Sequence, residues 1–187
     1  MMSEIEKMRS EQLYDIMAPE VIASLRHARA LCAKLQTMTI DDRDYREVME
    51  KLIPDFPKTS EICPPFHCDH GSSIKIGEYV FINYNCTMLD EGLITIGNHV
   101  LIGPNCSFFT PQHPMDYKER RNPVETGYPI KVGDDTWIGG NVTICPGVTI
   151  GSRCIIGAGS VVVHDIPDDC MAAGNPAVVK KKCESVS

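Results

Sequence analysis

Among the side chains able to move a proton, His113 has the most suggestive setting. It lies in Thr110-Pro111-Gln112-His113-Pro114, at the start of a long proline-interrupted stretch. An imidazole titrates near neutrality, so one held at a cleft can take the proton of an attacking hydroxyl. A surface-loop histidine without chemistry is the alternative, and the loop alone leaves both readings open. Cys63, His67, Cys68 and His70 crowd into eight residues and at first sight suggest zinc. They lack the spacing of paired C-x-x-C knuckles, however, and neighbours such as His67 and Cys68 point to opposite sides of a strand, so no metal is expected. The runs Lys118-Glu119-Arg120-Arg121 and Lys180-Lys181-Lys182 read, on their own, as solvated charge.

What holds His113 is a repeat. Val132, Ile138, Ile144, Ile150, Ile156 and Val162 recur every six residues without a gap, all β-branched, and Gly133, Gly139, Gly151 and Gly157 follow four of them. Four residues after each anchor comes a second inward position: Thr136, Val142, Val148, Cys154, Ser160 and Ile166. The same register occurs earlier as Ile76, Ile82 and Met88, then Ile96 and Ile102, with a slip of two residues between Met88 and Ile96. Neither an amphipathic strand nor a helix has this period. Three six-residue faces make one triangular coil whose apolar top and bottom only another coil can cover, so the class is mainly β, a parallel solenoid. Its hand is not fixed by periodicity. Cys86, Cys106 and Cys154 fall at inward positions, where a thiol packs as a small apolar group. The repeat breaks after Phe108 and resumes at Val132, and so long a loop inside a compact repeat points to function.

The first fifty-odd residues read as three helices. Ser3 and Glu6 have capping-box spacing, Pro19 suits a first turn, and Ile22, Leu25, Ala28, Leu31 and Leu35 follow at helical intervals. A third helix is expected from about Asp41-Asp42, burying Tyr45, Val48 and Leu52 and ending before Pro54 and Pro57. The chain therefore divides into a helical cap over 1–57 and a solenoid over 58–187, with an inserted loop at 109–131 and a C-terminal tail. With 187 residues, 43% of them hydrophobic, it can bury a core. A net charge of -7 argues against general nucleic-acid binding, which needs a basic footprint. No apolar run is long enough to span a membrane, and the N-terminus lacks a secretory signal pattern. With nine cysteines, an odd number, this points to reduced thiols and a cytoplasmic location.

Several motifs together resemble the maltose and galactoside O-acetyltransferases, hexapeptide-repeat acyltransferases. These are Leu13-Tyr14-Asp15, Pro64-Pro65-Phe66-His67-Cys68-Asp69-His70-Gly71 and Phe81-Ile82-Asn83-Tyr84-Asn85. Gln112-His113-Pro114, Trp137-Ile138-Gly139-Gly140, Ile156-Gly157-Ala158-Gly159-Ser160 and Ala173-Gly174-Asn175-Pro176-Ala177 complete the set. The resemblance implies a left-handed parallel β-helix, a homotrimer with sites between subunits, acetyl-CoA as donor and a sugar hydroxyl as acceptor. It implies His113 as catalytic base and Asn83 as a contact to acceptor and thioester. Asp69, Glu91, Glu125 and, from the cap, Asp15 match acceptor-side positions. Gly140, Ala158, Val163, His164 and Lys181, together with Asn83, match coenzyme contacts. Val178 stands where many relatives carry arginine, and Asp90-Glu91 departs from the usual pair, which bears on phosphate binding and acceptor preference.

Transfer from a thioester to an alcohol needs a base for the hydroxyl proton and donors for the oxyanion, and the thiolate leaves without a covalent acyl-enzyme. Three alternatives share the scaffold: an acceptor that is not a sugar, a metal-dependent lyase resembling the gamma carbonic anhydrases, and a non-catalytic solenoid. The lyase needs three histidines converging on zinc, whereas here the loop supplies only His113, with His99 fourteen residues earlier. A non-catalytic solenoid gives His113 and Asn83 no purpose.

Overall fold

The computed structural model describes residues 2–183; Met1 and residues 184–187 of the expected tail lie outside it. The six-residue anchors build three parallel faces around one interior. The first face stacks Glu61–Ile62, Phe81–Ile82, Leu101–Ile102, Trp137–Ile138, Ile155–Ile156 and Cys170–Gly174. The second stacks Phe66–Cys68, Cys86–Leu89, Ser107–Phe109, Thr143–Ile144 and Val161–Val162. The third stacks Ile74–Ile76, Ile94–Ile96, Ile130–Val132 and Thr149–Ile150. Ala177–Lys182 then folds back antiparallel on Cys170–Gly174.

In-register stacking puts like on like: Ile82, Ile102, Ile138 and Ile156 form one column at no more than 1% exposure. Each such side chain contributes about 1.5–3 kcal/mol by leaving water. Small polar residues at the inward positions find partners in the backbone. Thr136 donates to the Gly151 carbonyl (2.8 Å) and accepts from the Cys154 N–H (3.1 Å). Between first and second faces the chain turns through left-handed residues, Asn85, Asn105 and Asn141, each at φ near 60°, and then Gly159. Asparagine tolerates that region better than most residues. The repeat begins earlier than its aliphatic register indicates, at Glu61, with Ile62 and Phe66 fully buried. Phe66 fills an inward position that is otherwise small and Cys68 an anchor position that otherwise holds a larger apolar residue, which hides this first coil.

The cap closes the open end of that coil. Helix α1 (Glu4–Arg9) carries the expected Ser3–Glu6 capping box, and α2 (Pro19–Leu35) begins on its proline. Helix α3 (Tyr45–Leu52) starts later than expected because the Asp42 carboxylate is engaged in a turn, accepting from the Thr39 N–H (2.6 Å) and hydroxyl (3.1 Å). Ala28, Leu31, Cys32 and Leu35 of α2 and Tyr45, Val48, Met49 and Leu52 of α3 join the solenoid core. The Tyr45 hydroxyl ties the two parts, donating to the Ile62 carbonyl (2.8 Å) and accepting from the Ile62 N–H (3.1 Å). No helix among the described residues is long and apolar enough to cross a membrane.

The inserted stretch is a ribbon rather than an irregular loop. Pro111–Gln112 pairs antiparallel with Val124–Gly127, whose other edge takes Tyr14–Asp15 from the cap. The 3-10 turn Glu119–Arg121 lies at its tip, and the coil resumes at Ile130. The Lys118–Arg121 run is exposed, with Lys118 and Arg121 over the Tyr117 ring.

Candidate active site

One corner of the solenoid is oversized. Cys68, Met88 and Phe108 are stacked on the second face, and Ile76, Ile96 and Val132 on the third. Seven residues separate them in each of the first two coils and 23 in the next, against five between Ile144 and Ile150. The two-residue slip after Met88 is one instance of this widening, which recurs in the coil before it. Asp69, Glu91 and the His113 ribbon all occupy this corner.

The corner and the cap enclose a cleft of about 530 Å³. The solenoid contributes Asp69, Leu89 and Glu91, and the ribbon contributes Pro111, His113 and Glu125. Helix α2 supplies Ile22, Leu25, Arg26 and Arg29, spaced i, i+3, i+4, i+7, one stripe of the helix. Ile22 and Leu25 are thus cleft walls rather than core, while Ala28, Leu31 and Leu35 are buried as expected. Arg26, Arg29 and Met17 were not picked out as site residues from sequence; the helical stripe through Ile22 was the signal that could have found them.

His113 has an oxygen neighbour on each side of its ring. Nδ1 lies 3.4 Å from the Val124 carbonyl oxygen, and Nε2 lies 3.7 Å from a carboxylate oxygen of Glu125. The register explains this: Gln112 opposes Thr126, so the next position of the ribbon brings His113 beside Glu125. The other Glu125 oxygen accepts a short hydrogen bond from the Tyr14 hydroxyl. Tyr14 itself opposes Glu125 in the cap strand and is 2% exposed. Burial first, and the Glu125 carboxylate second, push the Tyr14 phenol far above its ordinary range, so it remains a donor. The imidazole is more than half exposed and faces the cleft, while Glu125 is nearly enclosed.

The acids behind them differ in state. Asp90 is fully buried and accepts backbone N–H bonds from Asp69 (3.1 Å), His70 (2.8 Å) and Ser73 (3.1 Å), which pins the widened corner. Glu91 is 5% exposed, and its Oε2 makes no hydrogen bond among the described residues. Burial, and then the neighbouring Asp69 carboxyl, push Glu91 up to about 10, so it carries a proton at neutral pH.

The cleft lining does not include the remaining candidates. Asp15 is exposed at the rim, where its carboxylate accepts from the Met17 N–H (2.8 Å). Asn83, Gly140 and Ala158 stand at the first corner, between the first and second faces, in three of the coils, with the Leu101–Ile102 coil between the first two; there Asn83 N–H bonds Ile102, Gly139 bonds Ile156 and Gly159 bonds Gly140. That corner lies across the second face from His113, about 13 Å away along a four-residue strand such as Cys86–Leu89. Val163 and His164 are exposed just after Val161–Val162. Lys181 faces Met171 on the final hairpin, in a groove of about 670 Å³ with Lys182 and Cys183, and Val178 is exposed on the same strand. In the cysteine–histidine cluster, His67 turns outward, Cys68 turns inward to Cys32, and His70 is buried against the Ser24 hydroxyl (2.8 Å). Among the described residues no group of three or more His, Cys, Asp or Glu is gathered as a metal ion requires.

Comparison with known proteins places this architecture. Residues 129–164 match the bacterial transferase hexapeptide (six repeats), and residues 7–54 match the maltose acetyltransferase hexapeptide capping motif. The chain is similar to a hexapeptide-repeat-containing acetyltransferase of Vibrio cholerae solved with acetyl-coenzyme A, at 40% identity and a TM-score of 0.91, covering 98% of this chain and 100% of that one. A maltose O-acetyltransferase of Clostridium difficile is 38% identical with a TM-score of 0.94, covering 98% and 99%. A galactoside acetyltransferase in complex with coenzyme A is 32% identical with a TM-score of 0.92, covering 98% and 92%. Cap and repeat match together, over nearly the full length of each relative. The chain belongs to the maltose and galactoside O-acetyltransferase family of hexapeptide-repeat acyltransferases.

Proposed function

We propose that this acetyltransferase moves the acetyl group of acetyl-CoA to a hydroxyl of a sugar or glycoside, with His113 as general base. The observation that supports this most is the line Tyr14–Glu125–His113 at the edge of a cleft lined by carboxyl groups. With the proton on Nδ1, directed at the Val124 carbonyl, Nε2 keeps its lone pair toward the cleft. There it accepts the hydroxyl proton as the oxygen attacks the thioester carbon. The charge that forms on the ring faces Glu125, which Tyr14 holds in place. Asp69 accepts hydrogen bonds from acceptor hydroxyls, and the protonated Glu91 can donate one. The tetrahedral oxyanion is met by Asn83 and by the backbone N–H of Gly140, and the coenzyme thiolate leaves as the carbonyl re-forms.

Within one chain His113 and the Asn83–Gly140–Ala158 corner are on opposite edges of a face, so the reading includes a homotrimer in which each cleft meets the first corner of a second copy. Acetyl-CoA lies along that corner, with Val163, His164 and Lys181 as further contacts and the exposed lysines near its phosphates. Acetyl-CoA as the donor is supported by the two relatives solved with acetyl-coenzyme A or coenzyme A. All nine cysteines are free, which suits the cytoplasm.

The experiment is consumption of acetyl-CoA, followed by thioester absorbance against a panel of glycosides, for wild type and His113→Ala. Sugar-dependent consumption reduced about 100- to 10,000-fold in the variant is expected. Consumption unchanged by the substitution removes His113 as base. No consumption with any sugar, from protein that binds coenzyme A, moves the acceptor outside carbohydrates.

A further inference from the structure

We propose that Cys32 and Cys68 are a redox pair that closes to a disulfide and clamps helix α2 onto the strand leading to Asp69. Nothing in the acetyl-transfer scheme uses these thiols, yet they face each other across the joint between cap and solenoid. Their sulfurs are 3.9 Å apart although the residues are 36 positions apart in sequence, and they are 5% and 6% exposed. A disulfide needs about 2.05 Å, so closing the pair requires the sulfurs to approach by side-chain rotation together with movement of α2. The Cys68 thiol beside it lowers the Cys32 thiol below its ordinary value, which makes Cys32 the attacking sulfur.

Hydrogen peroxide is an oxidant small enough for a buried pair. The Cys32 thiolate attacks one peroxide oxygen, the O–O bond breaks, and hydroxide leaves a sulfenic acid on Cys32. The Cys68 sulfur then attacks the Cys32 sulfur, the S–O bond breaks, and the hydroxyl departs as water with the Cys68 proton. Two thiols are oxidised and one peroxide becomes two waters; a dithiol reverses the linkage by exchange.

The consequence for the cleft follows from position. Arg29 and Leu25 lie one and two turns before Cys32 on α2, and Asp69 follows Cys68 directly, and all three line the cleft. Drawing α2 and the Phe66–Cys68 strand together at this pair therefore shifts Leu25 and Arg29 relative to Asp69. That effect on the acceptor rests on the function proposed above; formation of the pair does not.

The test treats the intact chain with hydrogen peroxide, then maps peptides without reduction and follows amide exchange in α2. A Cys32–Cys68 linked peptide is expected, removed by dithiothreitol, together with slowed exchange across α2. Cys32→Ala and Cys68→Ala, checked by melting to be folded, should show neither. Separate thiols or sulfinic acids at both positions, or linkages between other cysteines only, overturn the pair; linkage without slowed exchange overturns the clamp. Both readouts need no substrate, so a wrong acceptor leaves them decisive. With an acceptor in hand, the linked form should show a severalfold change in acceptor KM at constant acetyl-CoA KM, and its absence overturns control of the cleft.

Discussion

Glu91 is a carboxyl group enclosed with other acids and, among the described residues, with no cation hydrogen-bonded to it, and its consequences reach beyond the cleft. Its value of 4.5 in the open chain rises to about 10 in the fold. The folded form therefore binds a proton that the unfolded form releases between these values, and this contribution to stability is full below pH 4.5 and lost as pH rises toward 10. Glu91→Gln, neutral at every pH, should flatten the fall of melting temperature between pH 6 and 9 (about that range). A fall as steep as wild type's would show that Glu91 is ionised in the fold. Tyr14 offers a second test at this scale. Tyr14→Phe removes the hydrogen bond to Glu125 and leaves that carboxylate free to turn. It should lower kcat by about tenfold, the size of one lost charge-assisted hydrogen bond, with acetyl-CoA KM unchanged. Glu91 and Glu125 were picked out along the chain, but the hydroxyl that holds Glu125 was not: Tyr14 and Glu125 are 111 positions apart, and only the pairing of the cap strand with the ribbon brings them together.

Among the elements, the solenoid was legible because its signal is local. A β-branched residue every six positions can be satisfied only by stacked coils, and every anchor from Val132 to Val162 is buried. What could not be read was how the breaks in register line up. The slip after Met88 and the insertion after Phe108 look unrelated in sequence, but in-register stacking places both at one corner, above Asp69. The division between core and cleft along α2 was hidden for the same reason, since Ile22 and Leu31 are equally apolar and differ only in what faces them. Gly71 shows how tightly that corner meets the cap. It has φ +71°, and a Cβ there would come within 2.2 Å of the Leu52 carbonyl oxygen at the end of α3. Gly71→Ala should destabilise the chain by about 2–4 kcal/mol, read from urea unfolding, because both strain and the clash must be relieved. A cost below about 1 kcal/mol would mean that α3 is free to shift.

For the whole molecule, the decisive expectation concerns assembly. If each site joins the cleft of one copy to the first corner of the next, His113→Ala and Asn83→Ala protein, each inactive alone, should recover activity when co-expressed. Random mixing in a trimer predicts up to about a quarter of the wild-type rate, since one interface in four then holds both intact partners. No recovery, in mixed trimers shown to form, would place both residues in one subunit's site. The cap, corner and ribbon also differ from the rest of the chain in how they are coupled to the core. Three faces of ladder run past the widened corner without passing through it: the strands on either side of the ribbon, Ser107–Phe109 and Ile130–Val132, keep their partners above and below. Twenty-odd residues are therefore spliced between two fixed rungs, and the ends of that splice stay put whatever lies between. The hairpin from Pro111 to Gly127 should therefore accept a relative's sequence as a cartridge would, its stack melting unchanged, provided the pairing of Val124–Glu125 with Tyr14–Asp15 is kept.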